Sequence, residues 1–122
     1  MATKLIGLDA GHGLNTAGKR TPDGIREWTL NDAVRDEVVT FLKDYDVDFI
    51  FTDNNEGNTD ESLTSRRTMY VNKKVDAFVS LHHNANTGTW NNATGVEIYT
   101  DKNPTAKDTE LAKAIYKNLP NY

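Results

Sequence analysis

Three histidines and one glutamate hold positions in this 122-residue chain that favour metal chemistry. His12 stands between two glycines directly after a short apolar run, His82 and His83 end another such run, and Glu27 opens a periodic segment. In an open α/β sheet, ligands bind at the carboxyl ends of the strands, so histidines from two strands can face one site. Two His and one Glu, with an open fourth position, are the ligands of a catalytic zinc site.

Each of these residues also has a plain structural interpretation. A histidine beside glycine is more often a loop residue than a ligand, and a histidine at a strand end can serve hydrogen bonding alone. An acid such as Glu27 is favoured in the first helical turn by the helix macrodipole, without any further role. Neighbours along a strand point to opposite faces, so only one of His82 and His83 can point with a given face of the sheet. The alternation alone does not say which one.

The elements that must position these residues alternate between strands and helices. Apolar runs predict strands over residues 4–9, 47–51, 75–82 and 96–99, and helical spacing predicts helices over residues 27–43, 62–73 and 105–118. Thr105, with Asp108 three residues on, resembles a capping box that opens the last helix. The resulting order is β-α-β-α-β-β-α, which implies right-handed crossovers and a mostly parallel sheet.

Composition narrows the function classes. The chain has no cysteine, which excludes a disulfide framework, a Cys-type zinc finger, an iron–sulfur cluster and a Cys nucleophile. Fourteen Lys and Arg against 18 Asp and Glu give a net charge of −4, which disfavours nucleic-acid binding by charge. No apolar run reaches the ~20 residues that a membrane helix needs, and none at the N-terminus has signal-peptide length. We expect one domain over residues 1–122.

Four motifs resemble those of the zinc-dependent N-acetylmuramoyl-L-alanine amidases, the type found in bacterial cell-wall hydrolases and phage endolysins. Residues 8–13 (LDAGHG) are similar to the family's D-x-G-H-G motif, and residues 27–31 (EWTLN) to its E-x-x-x-N helix start. Residues 80–85 (SLHHNA) resemble its S-[IL]-H-x-N-A strand end, and residues 95–99 (GVEIY) its G-x-E-[VI]-[YF] strand. The motifs stand in the family's order, and the resemblance covers most of the chain.

The resemblance implies that His12, Glu27 and His82 bind Zn²⁺, while His83 occupies a variable position of the family. It also implies hydrolysis of the amide between the lactyl group of muramic acid and L-alanine in peptidoglycan. Bound zinc polarises such a carbonyl and lowers the pKa of its water toward about 7. Asn84 follows the ligand strand and is expected to orient His82 or to line the cleft.

The resemblance also implies a residue that this sequence does not contain. Family members carry further strands after the last helix, and one of them holds a glutamate that acts as general acid/base. No residue up to Tyr122 matches that motif, so no catalytic residue is assigned, and Glu97 and Glu110 are interpreted as structural or solvent-facing. We therefore expect a C-terminally truncated domain with an unpaired sheet edge. Because general acid/base help is worth about 10²–10⁴ in rate, we expect it to hydrolyse poorly.

The leading hypothesis is a zinc amidase domain of three-layer α/β architecture, with helices on both faces of the sheet, that acts on peptidoglycan without inserting into a membrane. With no signal peptide, we expect a phage endolysin, made in the host cytoplasm and released to the wall through a holin lesion, with a wall-binding domain beyond residue 122. The alternative is a non-catalytic, zinc-stabilised wall-binding fragment. A zinc peptidase with the same ligand types is a weaker option.

Four further side chains have open interpretations. Trp28 and Trp90 can stack on sugar rings, although Trp28, beside a helix start, is equally expected in the core. Arg66 and Arg67 on the second helix are expected to be solvated or paired with Asp60 or Glu61.

Overall fold

The computed structural model describes residues 4–120, and these form two compact units. The first unit ends at Trp90 and contains the sheet, whereas the second begins at Asn91 and contains the last helix. No helix in the described part of the chain is both long and apolar enough to cross a membrane.

The first unit is built on a three-stranded parallel sheet with the order β2-β1-β3. Its elements, in chain order, are β1 (Lys4–Ala10), α1 (Glu27–Leu42), β2 (Val47–Phe51), α2 (Leu63–Asn72) and β3 (Ala77–Leu81). β1 lies in the centre, and its last four residues are all buried, whereas β2 and β3 are mostly half-buried. Within the residues described, β2 and β3 each pair with β1 alone. The sheet therefore encloses the carboxyl end of β1 between two neighbours.

Helices cover both faces of this sheet. On one face, Arg35 of α1 stacks over the Phe51 ring, with its guanidinium carbon 4.3 Å from the ring centre. On the other face, the Tyr70 ring of α2 stacks on Phe78, with the ring centres 4.2 Å apart. Phe51 and Phe78 pair with successive residues of β1, and side chains of successive strand residues point to opposite faces. The predicted three-layer α/β fold is confirmed, and each predicted helix and strand of this unit agrees with the structure to within two residues.

The second unit contains one regular element in its described part, the helix α3 (Ala106–Lys117). The predicted capping box is present at its start. Thr105 Oγ1 accepts a hydrogen bond from the Asp108 amide at 3.2 Å, and the Asp108 carboxylate accepts one from the Thr105 amide at 2.7 Å. These two bonds satisfy backbone donors that have no partner inside the helix.

The predicted fourth strand over residues 96–99 is wrong. The chain from residue 91 to residue 105 has no regular secondary structure, and Val96 and Tyr99 are exposed. A strand needs a neighbour for its backbone N–H and C=O groups, and no described segment of the second unit pairs with this run. Alternation of apolar and polar residues is therefore not sufficient here, and the observed order is β-α-β-α-β-α.

Acid is expected to loosen the start of α3. Hydrogen bonds from the Thr105 side chain and backbone lower the pKa of Asp108. A carboxyl with a lowered pKa stabilises the fold above its unfolded pKa and loses that contribution as pH falls through the folded pKa. We expect the amide NMR signals of Thr105 and Asp108 to titrate with a midpoint below the usual aspartate range. In Thr105→Ala the midpoint should rise, and an ordinary midpoint in the unmodified protein would contradict the cap.

Candidate metal centre

His12, Glu27 and His82 come together at the carboxyl ends of β1 and β3. One potential ligand atom from each residue lies within 4.8 Å of the other two. His12 Nε2 is 3.5 Å from Glu27 Oε2, and His82 Nδ1 is 3.1 Å from Glu27 Oε1. The two imidazole rings meet edge to face, with their centres 4.9 Å apart. Glu27 is buried, His12 is half-buried and His82 is exposed, so solvent reaches the group from one side.

His12 leaves β1 in a left-handed backbone conformation. Its φ angle is 66°, in a region that residues other than glycine seldom adopt. After it, the Gly13 amide donates to Thr16 Oγ1 at 3.0 Å. A Cβ atom on Gly13 would lie 2.7 Å from the backbone nitrogen of Asp60, so the close packing of this loop requires glycine there. The loop thus turns sharply after β1, and this turn places the His12 ring next to Glu27.

Glu27 is the first residue of α1. Its position is fixed by a hydrogen bond from a backbone amide and by the burial of the residue that follows it. Its Oε1 accepts a hydrogen bond from the His83 amide at 3.1 Å. Trp28, the next residue, is buried and donates from Nε1 to Asp53 Oδ2 at 3.1 Å. The core interpretation of Trp28 is therefore correct and the sugar-stacking one is wrong. Trp90 is exposed, and its contact with glycan stays a prediction.

The two neighbouring histidines that follow β3 have different surroundings. His82 lies with His12 and Glu27, whereas His83 Nδ1 lies 2.7 Å from Oδ1 of Asn31. Asn31 is fully buried on α1, and its Nδ2 donates to the backbone carbonyl next to His12 at 3.0 Å. The structure therefore groups His82, and not His83, with the other two candidate ligands. Asn84 is exposed, and its role in orienting His82 stays a prediction.

Gly11 leaves the space that the His82 ring occupies. A Cβ atom at Gly11 would lie between 2.2 and 2.6 Å from three atoms of that ring. Real Cβ atoms do not make contacts this short, so only glycine is compatible with the ring in this place. The residue before His12 therefore shapes the site through its lack of a side chain.

The donor chemistry of this group fits a zinc ion. Burial lowers the pKa of the His12 imidazole, and the neighbouring Glu27 carboxylate offsets this only in part. A neutral imidazole offers the lone pair that a metal ion requires. Two imidazole nitrogens and one carboxylate oxygen, open on one side, are the protein ligands of several catalytic zinc sites. His12, Glu27 and His82 are therefore the residues that would hold the ion.

A cavity of about 360 Å³ adjoins this group on the face of the sheet that α2 covers. It is lined by His12 and His82, by Asp9, Gly11 and Ser80 from the strand ends, and by residues 60–63 and Arg66 around the start of α2. Leu63 at this cavity is 85% exposed, which offers an apolar contact beside polar groups. A ligand that enters the cavity meets both histidines.

Two buried arginines anchor α1 and α2 to the sheet near the three candidate ligands. Arg35 of α1 donates to the Asp53 carboxylate at 2.8 Å, and the same carboxylate accepts from the Ala10 amide at 3.2 Å. Arg66 of α2 pairs with the buried Asp9 and, at 3.1 Å, with Asp60. The expectation that Arg66 is solvated is therefore wrong, although its pairing with Asp60 is correct. The sequence signal for a buried partner is Asp9, an acid in a mostly apolar strand, although it does not say which cation pairs with it.

The remaining candidates lie outside this group. Arg67 is exposed, as predicted. Glu97 and Glu110 belong to the second unit and are also exposed, which agrees with the solvent-facing interpretation.

Comparison with known proteins decides the family. A family model described as N-acetylmuramoyl-L-alanine amidase matches residues 6–122. The chain belongs to the N-acetylmuramoyl-L-alanine amidase family. This membership confirms the resemblance seen in the sequence motifs, whereas the zinc-ligand roles of His12, Glu27 and His82 stay a prediction.

Solved structures of amidases resemble this chain over most of its length. The N-acetylmuramoyl-L-alanine amidase from Clostridium difficile 630 is 25% identical with a TM-score of 0.83, over 96% of this chain and 62% of that one. The catalytic domain of CwlV from Bacillus (Paenibacillus) polymyxa var. colistinus is 27% identical with a TM-score of 0.60, over 70% and 48%. Ami1 from Mycobacterium smegmatis, 17% identical, shares the fold with a TM-score of 0.70, over 95% and 64%. No curated protein matches the chain. The chain thus spans about half to two thirds of the amidase structures that it matches.

Proposed function

We propose that this chain is the zinc-binding part of an amidase that cleaves the bond between the lactyl group of N-acetylmuramic acid and L-alanine in peptidoglycan. The observation that carries the proposal is the group of His12, Glu27 and His82, whose ligand atoms lie within 4.8 Å of one another beside a cavity. Membership of the amidase family supports the reaction and the substrate class. That the protein is a phage endolysin made in a host cytoplasm stays a prediction from its sequence.

The residues of the chain have separate tasks in this proposal. A zinc ion, when bound, supplies a Lewis acid for the scissile carbonyl and lowers the pKa of its water. His12 stays neutral near neutral pH because burial lowers its pKa, which keeps its lone pair free. The His83 amide holds Oε1 of Glu27, so the carboxylate keeps one orientation between the two imidazoles.

The cavity beside the candidate ligands is the place for the substrate. It is open to solvent, and it combines the carboxylates of Asp60 and Glu61 with the hydroxyl of Ser62 and the exposed Leu63. Polar groups of a peptide stem can form hydrogen bonds there while a small apolar side chain contacts Leu63. Binding in this cavity places the amide next to His12 and His82.

Turnover on purified cell walls tests the proposal. The zinc-loaded protein is expected to release new L-alanine amino termini slowly, since no general acid/base is assigned in this chain, and a chelator should stop the release until zinc is added back. The chelated protein is the matched control, because its sequence and concentration are unchanged.

Two other outcomes would contradict the amidase assignment. Binding of zinc and cell wall without any release would favour the alternative of a zinc-stabilised wall-binding fragment. Release of amino termini other than L-alanine, without a free muramoyl lactyl carboxyl, would indicate a zinc peptidase.

A further inference from the structure

Arg66 is buried on α2, and its guanidinium uses all five of its N–H donors. The acceptors are the backbone carbonyls of Glu61 at 2.8 Å, Ala10 at 3.1 Å and His12 at 2.9 Å, together with the carboxylates of Asp9 and, at 3.1 Å, Asp60. Three of these five acceptors belong to the end of β1 and the loop that follows it. A single side chain of α2 therefore holds the segment that carries His12.

One side of this arginine is anchored to the sheet. Its partner Asp9 is buried in the centre of the sheet and accepts two further hydrogen bonds. Thr52, which follows β2, donates to Asp9 at 2.7 Å, and Ser80 of β3 donates at 2.6 Å. The Asp9 carboxylate, on β1, is thereby tied to β3 and to the residue that follows β2. Because Asp9 cannot move freely, the guanidinium that pairs with it is also fixed.

The other side of the guanidinium reaches the candidate ligand His12. Arg66 Nη2 donates to the backbone carbonyl of His12, the residue whose φ angle of 66° lies in the left-handed region. The same Nη2 holds Asp60, whose Oδ2 faces His12 Nδ1 at 3.8 Å. A backbone in a sparsely populated region persists only where its surroundings hold it, and a charged donor forms a stronger bond than a neutral one. The hydrogen bond from Arg66 thus stabilises the left-handed backbone conformation of His12.

We propose that Arg66 is a positioning residue for metal binding. It holds the His12 backbone in the left-handed conformation that directs the imidazole at Glu27 and His82. The inference rests on the proposed zinc function, since positioning has meaning only if the three residues bind an ion. Lysine cannot replace it, because a single ammonium group lacks the planar fork that joins Asp9, Ala10 and His12 at once.

Zinc affinity of the Arg66→Lys variant tests this inference. We expect Arg66→Lys to weaken zinc binding on the order of 10–100-fold, the range typical of residues that orient metal ligands, in competition with a chromophoric chelator. The matched control is Tyr70→Leu on the same helix, which removes the ring that stacks on Phe78. This control should lower the melting temperature of the zinc-free protein without a comparable loss of affinity.

A second variant covers the case in which Arg66→Lys does not fold. The double variant Asp9→Asn with Arg66→Met removes both charges, so no unpaired buried charge remains, while the His12 carbonyl still loses its donor. This variant is also expected to bind zinc more weakly. The visible spectrum of its Co²⁺ form should differ from that of the unmodified protein, because ligand geometry determines that spectrum.

The outcomes separate this inference from the proposed function. Wild-type zinc affinity in either folded Arg66 variant would overturn the positioning role and leave the metal site intact. Equal loss of affinity in Tyr70→Leu would overturn it too, because the effect would then follow from stability alone. Absence of zinc binding in the unmodified protein would contradict the proposed site itself, and the inference with it.

Discussion

Alanine at His12 or at His82 is expected to abolish stoichiometric zinc binding, whereas alanine at His83 leaves it intact. Each of the first two changes removes one of the three candidate protein ligands. If a zinc-binding free energy of about 10–16 kcal/mol is shared among four ligands, the loss of one weakens binding by about two to three orders of magnitude. Elemental analysis of dialysed protein, which should show about one zinc per unmodified chain, measures this directly.

The His83 variant is the matched control for this prediction. It removes an imidazole from the same strand end, but one that contacts Asn31 and not the other candidate ligands. Its backbone amide, which holds Glu27, is retained in the alanine variant. Zinc retained in His12→Ala would refute the site, and zinc lost in His83→Ala would mean that His83, rather than His82, is the ligand.

Alanine at Gly11 is expected to disrupt zinc binding although it removes no ligand. The added Cβ atom would lie 2.2 Å from Cε1 of the His82 ring. The backbone cannot easily yield, because the Gly11 amide donates to Leu81 at 2.9 Å and its carbonyl accepts from Asn31 at 3.0 Å. The ring must therefore leave its place beside Glu27. We expect a loss of zinc affinity approaching that of His82→Ala, with a stability cost of about 1–3 kcal/mol from overpacking.

Gly88→Ala is the matched control, since a Cβ atom there has no atom within 4 Å. It should leave both zinc affinity and stability unchanged. A double-mutant cycle gives the sharper test, because Gly11→Ala should cost much less stability when His82 is already alanine. If Gly11→Ala bound zinc as the unmodified protein does, or if its stability cost were unchanged in the His82→Ala background, the steric explanation would fail.

The regular elements near the site were predictable because their signals are local. The apolar run before His12, the helical spacing after Glu27 and the apolar run before His82 each identify an element without any tertiary information. The parallel order follows from their alternation, and it brings the strand ends to one edge. Local signals failed at residues 96–99, where alternation is present but no strand in the described part of the second unit pairs with them.

The buried ion pairs were not predictable from local pattern. Arg66 and Arg67 are adjacent and chemically identical, and only the orientation of α2 decides that the first is buried and the second exposed. The choice between His82 and His83 was open for the same reason, since alternation separates the two side chains without saying which face holds Glu27. The clash that Gly11 avoids depends on a ring from a distant strand, and no spacing rule contains that distance.

The separation of the candidate ligands along the chain has a consequence for unfolding. Glu27 and His82 stand 55 positions apart, and β2 and α2 lie between them. An ion that joins them acts as a reversible cross-link, because it closes a long loop and removes configurations from the unfolded chain. His82 Nδ1 and Glu27 Oε1 already lie 3.1 Å apart, so closing the loop requires no distortion of the fold. Zinc would then stabilise the fold of this short chain reversibly, in addition to acting as a Lewis acid.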